Sequence, residues 1–297
     1  MKVIEPKDFE DFSPIYKGEK GHRLAECVMR LLAIDRINQV YDQSGDYTGA
    51  EFTSRFLDEI GVNYLVGNAE RLKMLPEGPF ITVSNHPYGG LDGIISIDLM
   101  ARIRPDYRFM VNKVISKVKT IQDNIISVIP TGNKKTGVHG ANIKGIRETL
   151  AHLHNGHPMG FFPSGAVSDL SRRDFLIRDR KWQSSILHVI HSAKVPVLPI
   201  RFFDKNSAFF YFLGFINWRI RALRLPYEVL NKRKQELRIG IGNIIPVEER
   251  EKFADAEAFG AFLRECVYEM PLPSSFMPRK MFKLEGGISI KNQPPTQ

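Results

Sequence analysis

The hydrophobic pattern of this chain predicts an α/β fold: a largely parallel twisted sheet flanked by helices, preceded by an N-terminal helical segment. Two observations carry the prediction. From about residue 63, short apolar runs of strand length alternate with stretches long enough for a crossover helix. An apolar content of 43% with 25% charged residues is that of an ordinary globular chain. At 297 residues there is length for one large domain or two small ones, with ample core. No apolar run reaches the roughly 18 residues a single spanning helix needs.

Residues 22–60 read as helical. Leu24, Val28, Leu31, Leu32 and Ile34 recur near the helical period, and Gly61 stops the second part. FITVS (80–84) reads as a buried strand and LDGIISIDLMARI (91–103) as the helix after it. YRFMV (107–111) and IISVIP (125–130) are strands, 139–155 a helix, MGFFP (159–163) a strand and WQSSILHVIHSA (182–193) a helix. VPVLPI (195–200) is an apolar strand whose two prolines predict an edge position or an irregular ladder. ELRIGIGNI (236–244) alternates strictly, and a last helix is expected over 248–269. The division that follows is a helical segment (1–62), an α/β domain (63–275) and a flexible tail (276–297) ending in KNQPPTQ.

The net charge of +9 favours polyanionic partners: nucleic acid, an anionic bilayer, or phosphorylated small molecules. Cys27 and Cys266 lie far apart without a CxxC spacing, which argues against a disulfide framework or a thiolate metal site. The acidic, proline-broken N-terminus is no secretory signal. A cytoplasmic address is expected, in solution or on the inner face of the cell membrane. His152, His154, His157, His188 and His191 lack the spacing of a zinc site, so no metal is expected.

In open α/β sheets chemistry collects in the loops beyond the carboxyl ends of strands. VSNHPYGGLDG (83–93) occupies such a loop. An imidazole can take and return a proton near neutral pH, and a carboxylate on its far nitrogen fixes the tautomer. His86 and Asp92 could form that pair, with Gly89 and Gly90 turning the loop back. Asp92 could equally do no more than cap the helix that follows. FFPSGAVS (161–168) has a turn whose backbone N–H groups could face an anion, and RFMVNKVI (108–115) places Lys113 after a strand.

Taken in order, these segments resemble the motif blocks of the glycerolipid acyltransferase family. NHPYGGLD (85–92), ISVIPTGN (126–133), FPSGAVS (162–168) and VPVLP (195–199) stand where that family has Asn-His-x4-Asp, a Gly-x-Ile-Pro-x-x-Arg-like block, Phe-Pro-Glu-Gly-x-x-Ser and Val-Pro-x-x-Pro. The likeness spans about residues 65–245. Three departures stand out. Five residues separate His86 from Asp92, not four; Asn133 replaces the phosphate-binding arginine, with Lys134 next; Ser164 replaces the glutamate of the third block. Losing a guanidinium removes the group best shaped for a phosphate. The Asn-His-Pro-x-Gly-Gly-Leu-Asp pattern is closer to a haemolysin-like branch that resembles ornithine- and glycine-lipid O-acyltransferases.

The resemblance implies an acyltransferase in which His86 is the general base and Asp92 orients it. The donor would be an acyl thioester of acyl carrier protein or coenzyme A, with no bound cofactor. The acceptor would be a lyso-lipid, an N-acyl amino-acid lipid ahead of lysophosphatidate. Lys113 and the backbone at Gly89, Gly90 and Gly165 are the candidate oxyanion donors; Asn85, Asn133, Lys134 and Ser164 complete the candidate substrate contacts. AFFYFLGFINW (208–218), followed by Arg219, Arg221 and Arg224, suits an anionic membrane surface or, equally, a core helix with a basic flank. A nucleic-acid binder is disfavoured because neither an RNP-like block nor a basic helix-turn-helix is present. A non-catalytic membrane protein and a hydrolase using the same pair on water remain the rivals.

Overall fold

The computed structural model describes residues 3–11, 13–128 and 140–281. Among the described residues the N-terminal segment holds three α-helices, α1 (Gly18–Leu31), α2 (Ile34–Ser44) and α3 (Gly49–Glu59), after two short 3-10 turns. The stretch predicted as helical over 22–60 is broken at Ala33, whose φ is 58°, and again before Gly49. Gly61 ends α3 as expected: at φ +67° its N–H reaches the Asp58 carbonyl, and Val62 N–H reaches Leu57. The buried stripe of α1 is Gly21, Ala25 and Met29, one position out of phase with the stripe that stands out in sequence. Leu31 is instead 78% exposed.

The α/β part runs β1 (Asn63–Gly67), β2 (Ile81–Ser84), α4 (Gly90–Ile103), β3 (Arg108–Asn112), β4 (Ile125–Val128), α5 (Gly140–His154) and β5 (Met159–Phe161). A short hairpin follows, β6 (Asp169–Leu170) and β7 (Ile177–Arg178), then α6 (Ser184–Ala193) and β8 (Val197–Phe202). Three helices, α7 (Ala208–Ile216), α8 (Trp218–Leu223) and α9 (Leu225–Asn231), precede β9 (Glu236–Ile241), α10 (Ala256–Tyr268) and β10 (Phe276–Pro278). The last helix begins later than its periodicity suggests. Asp255 caps it through Ala258 N–H at 2.8 Å, and the acidic stretch before it makes only a 3-10 turn.

Among the described residues the main sheet has the order β10-β1-β9-β8-β2-β5-β3-β4. It is parallel except where β8 meets β9 and where β10 meets β1. Alternate residues feed two cores. Tyr64, Val66, Leu198, Ile200, Phe202, Leu237 and Ile239 pack with α2, α3 and α4. Ile81, Val83, Met159, Phe161 and Val197 pack with α6 and α10 on the other face. The N-terminal helices α2 and α3 are therefore part of the first core.

The proline strand is not at an edge; β8 lies between β9 and β2. Its ladder is irregular, as the prolines required. Ile200 faces Ile241, but Val197 faces Ile245, a slip of one residue that leaves Pro199 at a bulge. Pro199 there accepts from Gly242 N–H at 2.8 Å and needs to donate nothing. The boundary at 276 also moves. Phe276–Pro278 pairs antiparallel with β1, and Arg279 is 2% exposed, so the ordered sheet runs on past the expected tail. The rest of that tail lies outside the described residues.

Candidate active site

Three adjacent parallel strands, β5, β2 and β8, bring the first and third motif blocks together at their carboxyl ends. Asn85, just past β2, clasps the end of β8: its amide donates to the Phe202 carbonyl and accepts from Phe202 N–H, both at 2.8 Å. This buried amide is committed to the neighbouring strand and is not offered to a substrate.

The chain then turns through His86 to Gly89, which has φ +85° and N-caps α4. The positive φ is what calls for glycine; a Cβ there would also lie 2.9 Å from the Leu225 Cδ2 methyl, which would have to shift. The bend brings His86 Nδ1 to 2.8 Å from Asp92 Oδ2. The structure contains both the helix-start contacts and the meeting of the two side chains. Asp92 sits in the first turn of α4, and Oδ2 also accepts from Tyr88 N–H (2.9 Å) and Gly89 N–H (3.0 Å).

Asp92 is wholly buried, while the His86 side chain keeps 16% of its surface exposed. Only the imidazole is placed to meet a substrate. A carboxylate can only accept, so Nδ1 carries the proton and Nε2 presents a lone pair. The Nδ1–H is aimed off the line to Oδ2, and Asp92 Oδ1 lacks a partner among the described residues. Burial pushes the Asp92 carboxyl above its usual range; His86 and the two backbone N–H groups pull the other way.

Two groups that sequence reasoning missed hold His86 in place. Phe162 stacks on the imidazole, with centroids 4.1 Å apart and planes 18° apart, and rests in turn on Phe109 of β3. Asp179, 3% exposed, accepts from His86 N–H (3.1 Å), Ser168 Oγ (2.6 Å) and Trp182 Nε1 (3.3 Å). Ser168 N–H closes the ring on the His86 carbonyl at 2.8 Å. Phe162 was visible as the first letter of the FPSGAVS block, but nothing in RDRKW marked Asp179. Behind the loop, the fully buried Lys232 donates to the Lys205 carbonyl at 2.8 Å and lies over the Tyr88 ring at 5.3 Å. Burial pulls its ammonium down, with Glu228 and Asp92 opposing.

Several expected contacts are occupied otherwise. Gly89 N–H is bound to Asp92 and Gly165 N–H to the Phe162 carbonyl, so neither is free for an oxyanion. Gly165 has φ +62° and no room for a Cβ against Gln183; it is a turn glycine. Ser164 is buried and spends its hydroxyl on the Ala166 carbonyl at 2.8 Å. Gly90 is exposed as the first residue of α4, where N–H groups have no acceptor within the helix. Asn133 and Lys134 lie outside the described residues, as does the side chain of Lys113.

Beside Asp179 lies a cavity of about 410 Å³ lined by Asp169, Arg178, Arg180, Lys181 and Arg264 among others. Arg264 Nε is buried without a partner among the described residues. Among those residues no group of three His, Cys, Asp or Glu side chains is placed to hold a metal ion.

A family model described as acyltransferase matches residues 21–270. Two relatives, each named lyso-glycine lipid O-acyltransferase, are similar over most of both chains. The one from Bacteroides thetaiotaomicron is 26% identical over 243 residues, covering 80% of this chain and 85% of the relative. The one from Phocaeicola vulgatus is 25% identical over 244 residues, covering 80% and 83%. Among solved structures, the 1-acyl-sn-glycerophosphate (LPA) acyltransferase PlsC from Thermotoga maritima aligns with a TM-score of 0.46 at 14% identity, over 82% of this chain and 91% of that one. With the family match running across both cores and the whole dyad loop, the chain belongs to the acyltransferase family and is an acyltransferase.

Proposed function

We propose that the protein moves a fatty acyl chain from a thioester of acyl carrier protein or coenzyme A to the hydroxyl of a lyso-lipid, an N-(3-hydroxyacyl)-glycine. The observation that carries the reaction is the 2.8 Å contact between His86 Nδ1 and a buried Asp92. That contact leaves Nε2 basic, toward the exposed side. The names of the two relatives support the glycine headgroup.

In this reading Nε2 takes the proton of the acceptor hydroxyl as its oxygen attacks the thioester carbonyl. Asp92 holds the ring and balances the imidazolium that forms. The tetrahedral oxyanion collapses, the C–S bond breaks, and His86 returns its proton to the departing sulfur. No acyl-enzyme forms, because Ser164 is turned into its own loop. Among the proposed oxyanion donors that are described, Gly90 N–H is at a helix start, where it has no acceptor within the helix, whereas those of Gly89 and Gly165 are engaged. At the cavity beside Asp179, Arg264, whose Nε has no partner among the described residues, is the cation that suits a phosphate of the kind both carriers bear. Arg264→Ala is expected to raise the donor KM with little change in kcat.

No described helix is long and apolar enough to cross a membrane. The exposed aromatic and aliphatic side chains of α7 and α8, interleaved with arginines, support a peripheral enzyme that meets its acceptor at the inner bilayer surface. The deciding assay supplies acyl thioester with N-(3-hydroxyacyl)-glycine, the ornithine analogue or lysophosphatidate. The highest kcat/KM is expected for the glycine acceptor. Preference for lysophosphatidate overturns the headgroup assignment, and release of free acid with every acceptor overturns acyl transfer in favour of hydrolysis.

A further inference from the structure

The hairpin between β5 and α6 carries two large apolar residues at its tip, Phe175 and Leu176, which are 72% and 55% exposed. Phe175 has φ +56°, a conformation that is costly for a bulky residue and unusual outside glycine and asparagine. Its backbone N–H closes the turn on the Ser171 carbonyl at 3.0 Å, but the ring itself is held out in water. The hairpin adjoins α7: Arg172 donates to the Phe215 carbonyl at 2.8 Å and lies over the Phe215 ring. Arg221, buried in α8, binds Asp169 at the hairpin base.

On α7 and α8, Phe209, Phe212, Ile216, Trp218, Ile220 and Leu223 are all about half exposed. Apolar side chains scattered singly over a surface need no explanation, but this many on neighbouring elements mark a docking face. The charges among them are cationic. Arg219 lies over Trp218, and Arg224 over Phe209 and Tyr227. The nearby acids are already engaged: Asp174 with Arg178, Asp169 with Arg180 and Arg221, and Glu228 within the protein. Aromatic and aliphatic groups interleaved with guanidinium groups complement the headgroup zone of an anionic bilayer better than an ordinary protein surface.

This face is also tied to the dyad loop. Leu225 at the start of α9 packs on Gly89, and Asn206, just before α7, donates to the Pro87 carbonyl at 3.0 Å.

We propose that the β6–β7 hairpin tip and the exposed side of α7–α8 form one surface that seats on an anionic bilayer. The hairpin is a second insertion element, and seating it brings the dyad loop to the bilayer edge. The surface deepens the lyso-lipid reading above, but vesicle binding without substrate tests it independently.

The experiment is sedimentation of the full chain with phosphatidylcholine vesicles, with and without phosphatidylglycerol. It compares the wild type, Phe175→Ser/Leu176→Ser, Phe212→Ser/Trp218→Ser, and Leu31→Ser as a control on α1. Stronger binding to the anionic vesicles is expected. Each paired substitution should weaken it by about tenfold or more, from the lost burial of two apolar side chains. Leu31→Ser should bind as the wild type does, and thermal melts should show all variants folded. Turnover of detergent-dispersed acceptor should be unchanged in both pairs, while turnover of vesicle-embedded acceptor falls. Wild-type binding by the hairpin variant overturns the two-element surface, and equal partitioning to both vesicle types overturns its anionic character. A solution dimer that the substitutions convert to monomer makes a second copy of this chain the occupant.

Discussion

Asp92 serves one ring and two backbone N–H groups from a fully buried position, and that dual service makes it separable by substitution. Burial raises its carboxyl pKa, so charge there costs the folded state something that an amide would not. In Asp92→Asn the amide oxygen can still accept from Tyr88 and Gly89, but an acceptor for Nδ1–H is no longer assured. Activity should fall by roughly 10³-fold, while the unfolding free energy drops by no more than about 1 kcal/mol. Turnover assays paired with urea unfolding check both, and wild-type turnover would remove Asp92 from the chemistry. His152 gives a pH effect of known sign. Burial lowers its pKa below 6.5, with Arg108 and His157 adding to the shift, while its ring bonds the Pro158 carbonyl at 3.2 Å. Below 6.5 the unfolded chain takes up a proton that the native chain refuses, so stability falls as the pH drops toward the lowered value. His152→Gln should flatten the stability profile over that window, as read from unfolding curves at a series of pH values.

At the scale of elements, the loop between β2 and α4 carries two adjacent glycines that are not equivalent. Gly89 has φ +85° and a Cβ there would crowd the Leu225 methyls; Gly90 has open space around its Cα. Gly89→Ala should cost about 1–3 kcal/mol and shift the bend that joins His86 to Asp92, lowering kcat as well. Gly90→Ala, at the first helical residue, should change stability by less than about 1 kcal/mol. Thermal melts of the two variants side by side make the comparison. Equal effects would mean that the glycine pair merely loosens the loop. The same scale explains β8. Its prolines signalled an irregular ladder, and the irregularity sits inside the sheet because a bulge against β9 removes the need for a donor at Pro199.

For the molecule as a whole, Arg279 joins the end of the described chain to the N-terminal helices. Its guanidinium donates to the Ser54 carbonyl (3.0 Å) and Asp58 (3.2 Å) of α3, lies 3.7 Å from Asp98 of α4, and packs over Tyr64 of β1. Its own N–H extends the β10 pairing to the Tyr64 carbonyl at 2.9 Å. Arg279→Met should destabilise the whole fold by about 2–4 kcal/mol, because the buried Asp98 keeps Arg102 but loses the Arg279 cation, and the Ser54 carbonyl loses the Arg279 donor. Denaturant unfolding tests this, and a loss confined to fraying of the last residues would show that β10 is an appendage.

Order and local chemistry were legible in the amino-acid sequence: the strand–helix alternation, the Gly61 stop, the loop beyond β2, and the pairing of His86 with Asp92 across a glycine bend. These depend on periodicity and turn geometry, which act over a few residues and leave their mark in composition. Tertiary structure alone decided which groups in that loop are free. Whether Gly89 N–H, Gly165 N–H, Ser164 Oγ and the Asn85 amide face a substrate depends on Asp92, Phe162, Ala166 and Phe202, partners that spacing does not assign. Phe162 beneath the imidazole, Asp179 behind its backbone, and the three-residue strand β10 are likewise contacts between segments distant in the chain. Contacts of that kind exist only once the sheet has closed and the strand ends have been brought side by side.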